Sequence, residues 1–199
     1  MASKTIKIVK TVLVGDGNCG KTSAAVSYTT NRFPEHYTPT VFDNYSSNVM
    51  VNNEAVLLQI WDTAGPQKHE KLRPLSYTQT DGFLMFYSIS CRSSFHNIKL
   101  VWEPEIRHHC PTTPIILVAT KLDLRFDLKL AEQLNDANQT MVTTEEGQKM
   151  AQSIGASSFH ECSALTQEGL ADIFDSLLTT VIQARNKNTA KSNCACVIL

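Results

Sequence analysis

The sequence predicts a single α/β domain of three layers, in which a six-stranded, mostly parallel sheet is covered by helices on both faces. Short segments with strand composition alternate with helical patterns along the chain, which is typical of this class. Some segments, such as residues 115–118, are apolar without interruption, as expected for a parallel strand buried on both faces. The length of 199 residues suits one hydrophobic core. We expect one strand to run antiparallel to the others.

The elements are predicted in chain order from these patterns. Strand composition occurs in residues 6–14, 48–51, 56–61, 83–89, 115–120 and 159–162. The clearest helix lies in residues 170–182, where apolar side chains recur at the i, i+3, i+4, i+7 spacing of a face that docks on a sheet. A second helical stripe runs from Phe95 to Ile106. After Ala184 the chain is polar and small, so we predict a domain over residues 1–184 and a flexible tail over residues 185–199.

The composition excludes several classes of protein. The formal net charge of -1 gives no basic footprint for nucleic acid, and we expect no nucleic-acid partner. The six cysteines are an even number, but the first ten residues lack the pattern of a secretory signal, which favours a reducing compartment over a disulfide framework. The longest apolar stretch, around residues 83–89, is far shorter than the roughly 20 residues that span a bilayer.

A phosphate-binding loop follows the first predicted strand. The pattern Gly-x-x-x-x-Gly-Lys-Ser/Thr is fitted by Gly15, Asp16, Gly17, Asn18, Cys19, Gly20, Lys21 and Thr22. Glycines let the backbone N–H groups curl around a polyphosphate at a helix N-terminus. Lys21 would neutralise the β and γ oxygens, and the Thr22 hydroxyl would ligate Mg²⁺. We include the next residue, Ser23, in the nucleotide-binding set. The alternatives are a glycine-rich turn without a ligand and another triphosphate-binding class, such as a kinase or an ATPase.

Two further segments narrow the ligand to a guanine nucleotide. Asp123 follows a buried strand, at the edge of the sheet where ligands bind in open α/β folds. Its carboxylate matches the N1–H and N2–H donors of guanine and would be left unpaired by adenine. The Lys121 stem would lie along the base or ribose, and the loop at residues 162–165 would offer N–H groups to the base oxygen. The residues predicted at the base are Thr120, Lys121, Asp123, Leu124, Ser163, Ala164 and Leu165. The alternative for Asp123 is a helix cap or turn former.

A second carboxylate lies in the segment Trp61-Asp62-Thr63-Ala64-Gly65, which ends another predicted strand. Asp62 occupies the place of a Walker B carboxylate and would hold a water of the Mg²⁺ ion. Thr63, Ala64 and Gly65 are added to the nucleotide-binding set.

In these motifs the chain resembles the small GTPases of the Ras superfamily, and within it the Rac-like branch of the Rho family. The resemblance lies in residues 15–22, 37–45, 61–65, 72–77, 102–106, 110–111, 120–123, 161–165 and the C-terminus, and so covers essentially the whole chain. It implies the P-loop small GTPase fold, with an extra helical insert near residues 125–142. It also implies a switch that binds GTP or GDP with Mg²⁺, hydrolyses GTP to GDP and phosphate, and signals at membranes to effectors such as those of the actin cytoskeleton.

By this resemblance, contacts to the γ-phosphate order two loops, and hydrolysis releases them. Thr40 would reach Mg²⁺ through its hydroxyl and the γ-phosphate through its N–H, Gly65 would contact the same phosphate, and Phe33 and Tyr37 would cover the nucleotide. Effectors would read Tyr37, Thr38, Pro39, Thr40, Val41, Phe42, Asp43, Asn44 and Tyr45. The partners implied are effector proteins and kinases, exchange factors, GTPase-activating proteins and guanine-nucleotide dissociation inhibitors.

The chain departs from the family at the catalytic position. Where the family has a glutamine that orients the attacking water, this chain has Pro66. Proline has neither a side-chain donor nor an N–H, and losing one preorganised contact costs on the order of 10²–10³ in rate in other enzymes. Gln67 would substitute only by a one-residue shift, while Pro66 restricts Gly65 and its own backbone. We therefore predict a GTPase with slow hydrolysis.

Several alternatives stay open. In one alternative, Pro66 is harmless and GTP turnover is normal. In another, Pro66 has abolished GTP turnover, and the protein is a GTP-bound scaffold regulated by exchange or expression. A metabolic phosphotransferase would leave the guanine and lipidation signals unexplained. Cys19 replaces a usually aliphatic residue, and it either packs or is a redox-sensitive thiol whose pKa is lowered by the helix N-terminus and Lys21.

The chain ends in Cys196-Val197-Ile198-Leu199, a C-a-a-X pattern whose terminal leucine favours geranylgeranylation of Cys196. The resemblance implies removal of the last three residues and methylation of Cys196. One lipid chain gives only marginal membrane binding, and the preceding basic residues are few, so Cys194 is a candidate palmitoylation site. We expect the protein on the cytoplasmic side of the plasma membrane or of endomembranes, with a cytosolic pool.

Overall fold

The structure is a computed structural model that describes residues 7–35, 40, 42–51, 53–63, 65 and 73–194, with side chains described up to residue 186. The strands are β1 (Lys7–Gly15), β2 (Phe42–Val51), β3 (Glu54–Thr63), β4 (Gly82–Ser88), β5 (Ile115–Thr120) and β6 (Ser158–Glu161). The helices are α1 (Lys21–Thr30), α2 (Arg92–Asn97), α3 (Glu103–His109), α4 (Leu128–Asp136), α5 (Thr144–Ser153) and α6 (Leu170–Cys194). Short 3₁₀ helices lie at Arg73–Tyr77 and Leu122–Phe126, and a π-helical turn, Ile98–Trp102, joins α2 to α3.

The strands form one sheet in the order β2-β3-β1-β4-β5-β6. All neighbouring pairs are parallel except β2 with β3. The central strands carry uninterrupted apolar runs because both of their faces are covered, and every residue of β4 and β5 is buried. The predicted fold class is confirmed, with six strands, one of them antiparallel.

Helices cover both faces of the sheet, because side chains alternate along each strand. Leu84 and Phe86 of β4 belong to a core cluster with α1 and with Phe174 and Leu177 of α6. Phe83, Met85 and Tyr87 belong to a second cluster that includes Trp102 and Ile106 near α3 and Ala151 of α5. The apolar stripe predicted in residues 170–182 is thus the face of α6 that packs on the sheet.

Strand β2 is longer than the predicted residues 48–51. It pairs with β3 from Phe42 opposite Thr63 to Val51 opposite Glu54. The part outside the prediction, residues 42–47, contains aspartate, asparagine and two serines. Aspartate and asparagine are depleted in strands, so composition does not predict a strand there. The pairing with the long β3 supplies the hydrogen bonds that make this segment a strand.

The predicted insert at residues 125–142 contains α4. Asp127 caps this helix, since its Oδ1 accepts hydrogen bonds from the backbone N–H groups of Lys129 at 3.0 Å and Leu130 at 3.1 Å. No residue of α4 is buried, and the side chains of Phe126 and Leu128 at its start are 87% and 78% exposed. The insert therefore lies on the surface of the domain rather than in its core.

Helix α6 continues to Cys194, beyond the point where the sequence predicts a flexible tail to begin. No glycine or proline lies in residues 185–194 to end the helix, so helical geometry continues after the apolar stripe has stopped. The assignment of residues 185–199 to a separate tail stays a prediction. Within the described part of the chain, no helix combines the length and the apolar character needed to cross a bilayer.

Candidate functional site

The predicted site residues lie at one edge of the sheet. Strands β1, β3, β4, β5 and β6 run parallel to one another, so their carboxyl ends meet at this edge. The loops that follow β1, β3, β5 and β6 carry the phosphate, metal and base motifs. In open α/β sheets this edge is where ligands bind. The topology therefore brings together segments that are far apart in the sequence.

The phosphate loop has a backbone that only glycine supports at two positions. Gly15 has φ +140°, and a Cβ there would lie 2.3 Å from the carbonyl oxygen of Phe86. Gly20 has φ +91° and precedes α1. A Cβ at Gly17 would meet no atom of the described residues within 4 Å. The geometry fits a loop whose N–H groups curl around an anion at the N-terminus of α1.

Lys21 is held inside this loop. Its Nζ donates hydrogen bonds to the carbonyl oxygens of Gly15 at 2.8 Å and Asp16 at 2.9 Å, and the residue is only 6% exposed. A buried ammonium needs acceptors, and the loop carbonyls supply them. The ammonium therefore lies within the phosphate loop, and its predicted contact with phosphate oxygens stays a prediction.

The three predicted metal residues come together at the start of α1. Thr22 Oγ1 lies 2.7 Å from Thr40 Oγ1 and donates a hydrogen bond of 2.5 Å to Asp62 Oδ2. Asp62 is fully buried, and its other oxygen, Oδ1, has no hydrogen-bond partner among the described residues. Two hydroxyls and a carboxylate are oxygen ligands of the kind Mg²⁺ takes, directly or through water. The orphaned Oδ1 fits a Mg²⁺-bound water, so these residues suit the ion.

Keeping the buried carboxylate of Asp62 ionised is energetically unfavourable. Burial raises the pKa of its carboxyl above the usual value, while the hydrogen bond from Thr22 and the charge of Lys21 oppose that rise. A divalent cation nearby would favour the ionised carboxylate and reverse this balance. The site is therefore electrostatically matched to a cation.

Gly65, the predicted γ-phosphate contact, lies against the phosphate loop. A Cβ built on Gly65 would be 2.5 Å from the backbone nitrogen of Gly17. Side chains essentially never approach a backbone so closely, so only glycine allows this contact. The phosphate loop and the backbone at Gly65, which the sequence analysis assigns to phosphate contacts, are thus neighbours.

The base end of the site is built around Asp123. Ser163 Oγ donates a hydrogen bond of 2.5 Å to Asp123 Oδ1, and the N–H of Leu122 donates to the carbonyl oxygen of Cys162 at 3.0 Å. The two predicted base loops are therefore joined directly. Asp123 lies within the 3₁₀ helix Leu122–Phe126, and its side chain turns towards the other loop instead of capping a helix.

The loop at residues 162–165 is held from both sides. The N–H of Ser163 donates to the Glu168 carbonyl at 2.9 Å, and Ser27 Oγ of α1 donates to the Ala164 carbonyl at 2.7 Å. The N–H of Ser163 is therefore already used, which leaves those of Ala164 and Leu165 as candidates for the base oxygen. Lys121 has φ +62°, a left-handed conformation that turns the chain sharply before Asp123.

Thr120 joins the base end to the phosphate loop. Its Oγ1 donates a hydrogen bond of 2.6 Å to the carbonyl oxygen of Cys19. Thr120 is buried, so this bond is shielded from water. The predicted contact of Thr120 with the nucleotide stays a prediction, and in the structure its hydroxyl supports the backbone of the phosphate loop.

The lowered thiol pKa that the redox alternative expects for Cys19 is contradicted by the structure. The residue is 1% exposed, and burial raises the pKa of its thiol, although Lys21 works in the opposite direction. Its sulfur would lie 3.1 Å from a Cβ at Gly15, which places it in the packing under the loop. Cys19 is therefore a buried packing residue. The four cysteines whose side chains are described are all free.

Other predicted residues are only partly placed. Phe33 is 42% exposed beyond the end of α1. Phe42, Asp43, Asn44 and Tyr45 of the predicted effector segment form the start of β2, where Phe42 packs edge-on against Trp61 with ring centroids 5.3 Å apart. The following predictions lie outside the described residues: Tyr37, Thr38, Pro39, Val41, Ala64, Pro66, Gln67 and Cys196. The side chain of Cys194 is also undescribed.

The sequence analysis missed the supports of the phosphate loop. Asp16 was predicted as a nucleotide contact, but its carboxylate accepts hydrogen bonds from Asn97 Nδ2 at 2.7 Å and Trp102 Nε1 at 2.8 Å. Only its backbone is left to face the loop. Buried Arg73 and partly buried Glu105 form an ion pair beside Gly65. Arg73, Trp102 and Glu105 lie in segments that carry the resemblance, but no motif assigns a role to them.

Comparison with known protein families matches residues 10–183 to one described as the Ras family. The match contains the phosphate loop, the Thr22, Thr40 and Asp62 cluster, and both base loops.

Proposed function

We propose a Rho-type molecular switch for this chain, which belongs to the Ras family of small GTPases. Proteins of that family in general bind GTP or GDP with Mg²⁺, hydrolyse GTP, and work with regulators and effectors. The observation that carries the proposal is the cluster of Thr22, Thr40 and Asp62 beside the phosphate loop, in which one buried carboxylate oxygen has no partner among the residues that the structure describes.

The residues have separate tasks in binding. The phosphate loop holds the β-phosphate with backbone N–H groups, and Lys21 neutralises its oxygens. Thr22 and Thr40 would ligate Mg²⁺, and Asp62 would hold one of its waters. The ion would supply charge neutralisation for the triphosphate. Asp123, fixed by Ser163, accepts from the N1–H and N2–H groups of guanine.

Thr40 and Gly65 form the sensing part of the switch. Each lies next to a phosphate-loop residue: Thr40 beside Thr22, and Gly65 beside Gly17. A γ-phosphate would contact both, and its loss would release both. Effectors that bind only the ordered state would shift the population towards it. The segment at residues 37–45 is the proposed effector-reading surface.

The Rho-type assignment rests on finer features. The surface helix α4 lies in the predicted insert, and the segments at residues 72–77 and 102–106 are Rho-like. On this basis we propose effectors of the actin cytoskeleton, including kinases, together with exchange factors, GTPase-activating proteins and dissociation inhibitors. The C-terminal Cys196 would carry a geranylgeranyl group and a methyl ester, with the protein on the cytoplasmic side of cellular membranes and a cytosolic pool.

Hydrolysis is proposed to be slow. Pro66 stands directly after Gly65, where a glutamine side chain would orient the attacking water, and the proline side chain offers no donor or acceptor. The alternative is a non-catalytic scaffold that stays GTP-bound and is controlled by exchange or expression. Single-turnover GTP hydrolysis distinguishes the two proposals: it is slow in the switch and undetectable in the scaffold.

The test is the nucleotide that the purified protein retains, together with its base preference. We expect guanine nucleotide with a large fraction of GTP, Mg²⁺-dependent retention, and at least a hundredfold weaker competition by ATP. An adenine nucleotide, or equal competition by ATP and GTP, would contradict the assignment. Asp123→Ala serves as the matched variant, because it removes the base contact and leaves the phosphate loop intact.

A further inference from the structure

The carboxylate of Asp16 is directed away from the phosphate loop by two donors. Oδ2 accepts from Asn97 Nδ2 at 2.7 Å, and Oδ1 accepts from Trp102 Nε1 at 2.8 Å. Both oxygens are therefore used at the helical segment between α2 and α3. A carboxylate facing into the loop would repel a polyphosphate, and the two neutral donors hold the Asp16 carboxylate on the side of Asn97 and Trp102 instead.

The π-helical turn makes this anchor possible. Asn97 and Trp102 are five residues apart, which in an α-helix would place them about 140° apart around the axis. The turn at Ile98–Trp102 has the wider i to i+5 repeat, which brings such residues onto one face. Both side chains can then reach the same carboxylate.

Trp102 makes a second contact through the face of its ring. The Arg73 guanidinium carbon lies 4.6 Å from the ring centroid, a cation–π arrangement. Trp102 is 0% exposed and Arg73 is 5% exposed, so the contact is desolvated. One indole therefore binds Asp16 at its edge and Arg73 on its face.

Arg73 in turn fixes Gly65. Its Nη1 donates to the carbonyl oxygen of Gly65 at 3.3 Å, its Nε donates to Glu105 Oε1 at 2.8 Å, and its Nη2 bonds the other oxygen of Glu105. Tyr77 OH donates to the same carboxylate at 2.5 Å. Burial opposes ionisation of Glu105, yet these bonds from Arg73 and Tyr77 lower its pKa, so the pair stays charged.

These contacts form a closed circuit. It runs from Asp16 through Trp102 and Arg73 to Gly65, and Gly65 lies back against Gly17, next to Asp16. We propose that Asp16, Trp102, Arg73 and Glu105 are positioning residues that couple the phosphate loop to the Gly65 backbone. The coupling sets the preference for triphosphate over diphosphate, and in this it rests on the proposed γ-phosphate contact of Gly65.

The first test is a double-mutant cycle of Asp16→Asn and Arg73→Lys, with no direct bond between the two residues. Dissociation rates are measured for fluorescent GDP and for a non-hydrolysable fluorescent GTP analogue. We expect Arg73→Lys to speed release of the analogue about tenfold and that of GDP less than twofold, and this selectivity to disappear in the Asp16→Asn background. If the effects of the two single substitutions on the dissociation rates multiply in the double mutant to within a factor of two, the coupling is overturned.

The matched control is Arg92→Lys. Arg92 also donates two hydrogen bonds to one glutamate, Glu146, but its other partners are Thr140 and Met141 rather than residues of the phosphate loop or Gly65. We expect no change in either dissociation rate for this variant. A loss of triphosphate preference in Arg92→Lys as large as that in Arg73→Lys would contradict a role specific to the circuit.

A second readout does not depend on guanine nucleotide. Hydrogen exchange of the Trp102 Nε1–H reports its bond to Asp16, and the signal is assigned with Trp61→Phe. Arg73 contacts the face of the Trp102 ring, not its Nε1–H. We nevertheless expect Arg73→Lys to speed exchange of this proton at least fivefold, and Arg92→Lys to leave the exchange unchanged. Unchanged exchange in Arg73→Lys would overturn the coupling. A wild-type protein that binds no guanine nucleotide would contradict the proposed function. The hydrogen-exchange measurement would still test the coupling in that case.

Discussion

Thr22 Oγ1 donates a hydrogen bond of 2.5 Å to Asp62 Oδ2, across 40 positions of sequence. This bond joins the start of α1 to the end of β3, and the other oxygen of Asp62, Oδ1, is buried and has no hydrogen-bond partner in the described part of the chain. The pair therefore explains both the affinity expected for Mg²⁺ and a cost to the metal-free protein, because an unsatisfied buried charge is destabilising.

Asp62→Asn should stabilise the metal-free protein and weaken Mg²⁺-dependent nucleotide retention. Since burial raises the folded-state pKa of Asp62, the ionised carboxylate destabilises the fold at neutral pH, and that penalty is relieved as the pH falls through the raised pKa. We expect the Tm in EDTA to rise by a few degrees and to lose part of its pH dependence. Differential scanning calorimetry with and without Mg²⁺ measures both effects.

Asp175→Asn is the control for this substitution, because Asp175 is exposed on α6. It should change neither the Tm in EDTA nor the effect of Mg²⁺. A metal-free Asp62→Asn protein that melts below the wild type would contradict the burial penalty.

Ser163→Ala should weaken guanine-nucleotide binding about tenfold. The substitution removes the hydroxyl that fixes Asp123, and the loss of a bond to a charged group costs roughly 1.5–3 kcal/mol. Ser176→Ala, which removes a hydroxyl paired with Ser158 at 2.9 Å away from the base loops, should leave affinity unchanged. Titration with fluorescent GDP measures the affinity of both variants. Equal affinities for the wild type and Ser163→Ala would refute the role of Ser163 in positioning Asp123.

Pro66→Gln should accelerate single-turnover GTP hydrolysis by about 10²–10³-fold, because it restores a side chain that can orient water. Gln67→Ala should leave the slow wild-type rate unchanged, since we do not expect Gln67 to substitute. GDP affinity is the control and should be the same in all three proteins. Equal hydrolysis rates in the wild type and Pro66→Gln would show that the proline is harmless.

Cys196→Ser should move the protein from the membrane fraction to the soluble fraction, because it removes the proposed prenyl site. Cys194→Ser should give a partial shift, and Cys91→Ser, far from the tail, should give none. Fractionation with mass spectrometry of the C-terminal peptide measures this. An unmodified Cys194 in membrane-bound protein would argue against palmitoylation.

Much of the site is predictable because its signals are local. The loop from Gly15 to Thr22 is a contiguous pattern between a strand and a helix, and Asp123 follows directly on a buried strand. The role of Asp16 was missed for the opposite reason. Its partners Asn97 and Trp102 lie more than 80 positions away, and the pairing depends on a π-helical turn that has no composition signal.

The sequence by itself determined the alternation of strands and helices, the phosphate-loop motif and the aspartate that we propose to select guanine, since periodicity and short motifs act over a few residues. Only the tertiary structure decided the length of β2, the meeting of Thr22, Thr40 and Asp62, and the circuit through Trp102. These depend on which strands become neighbours and which helix covers which face. Such contacts join distant segments, and their geometry exists only when the sheet has been assembled.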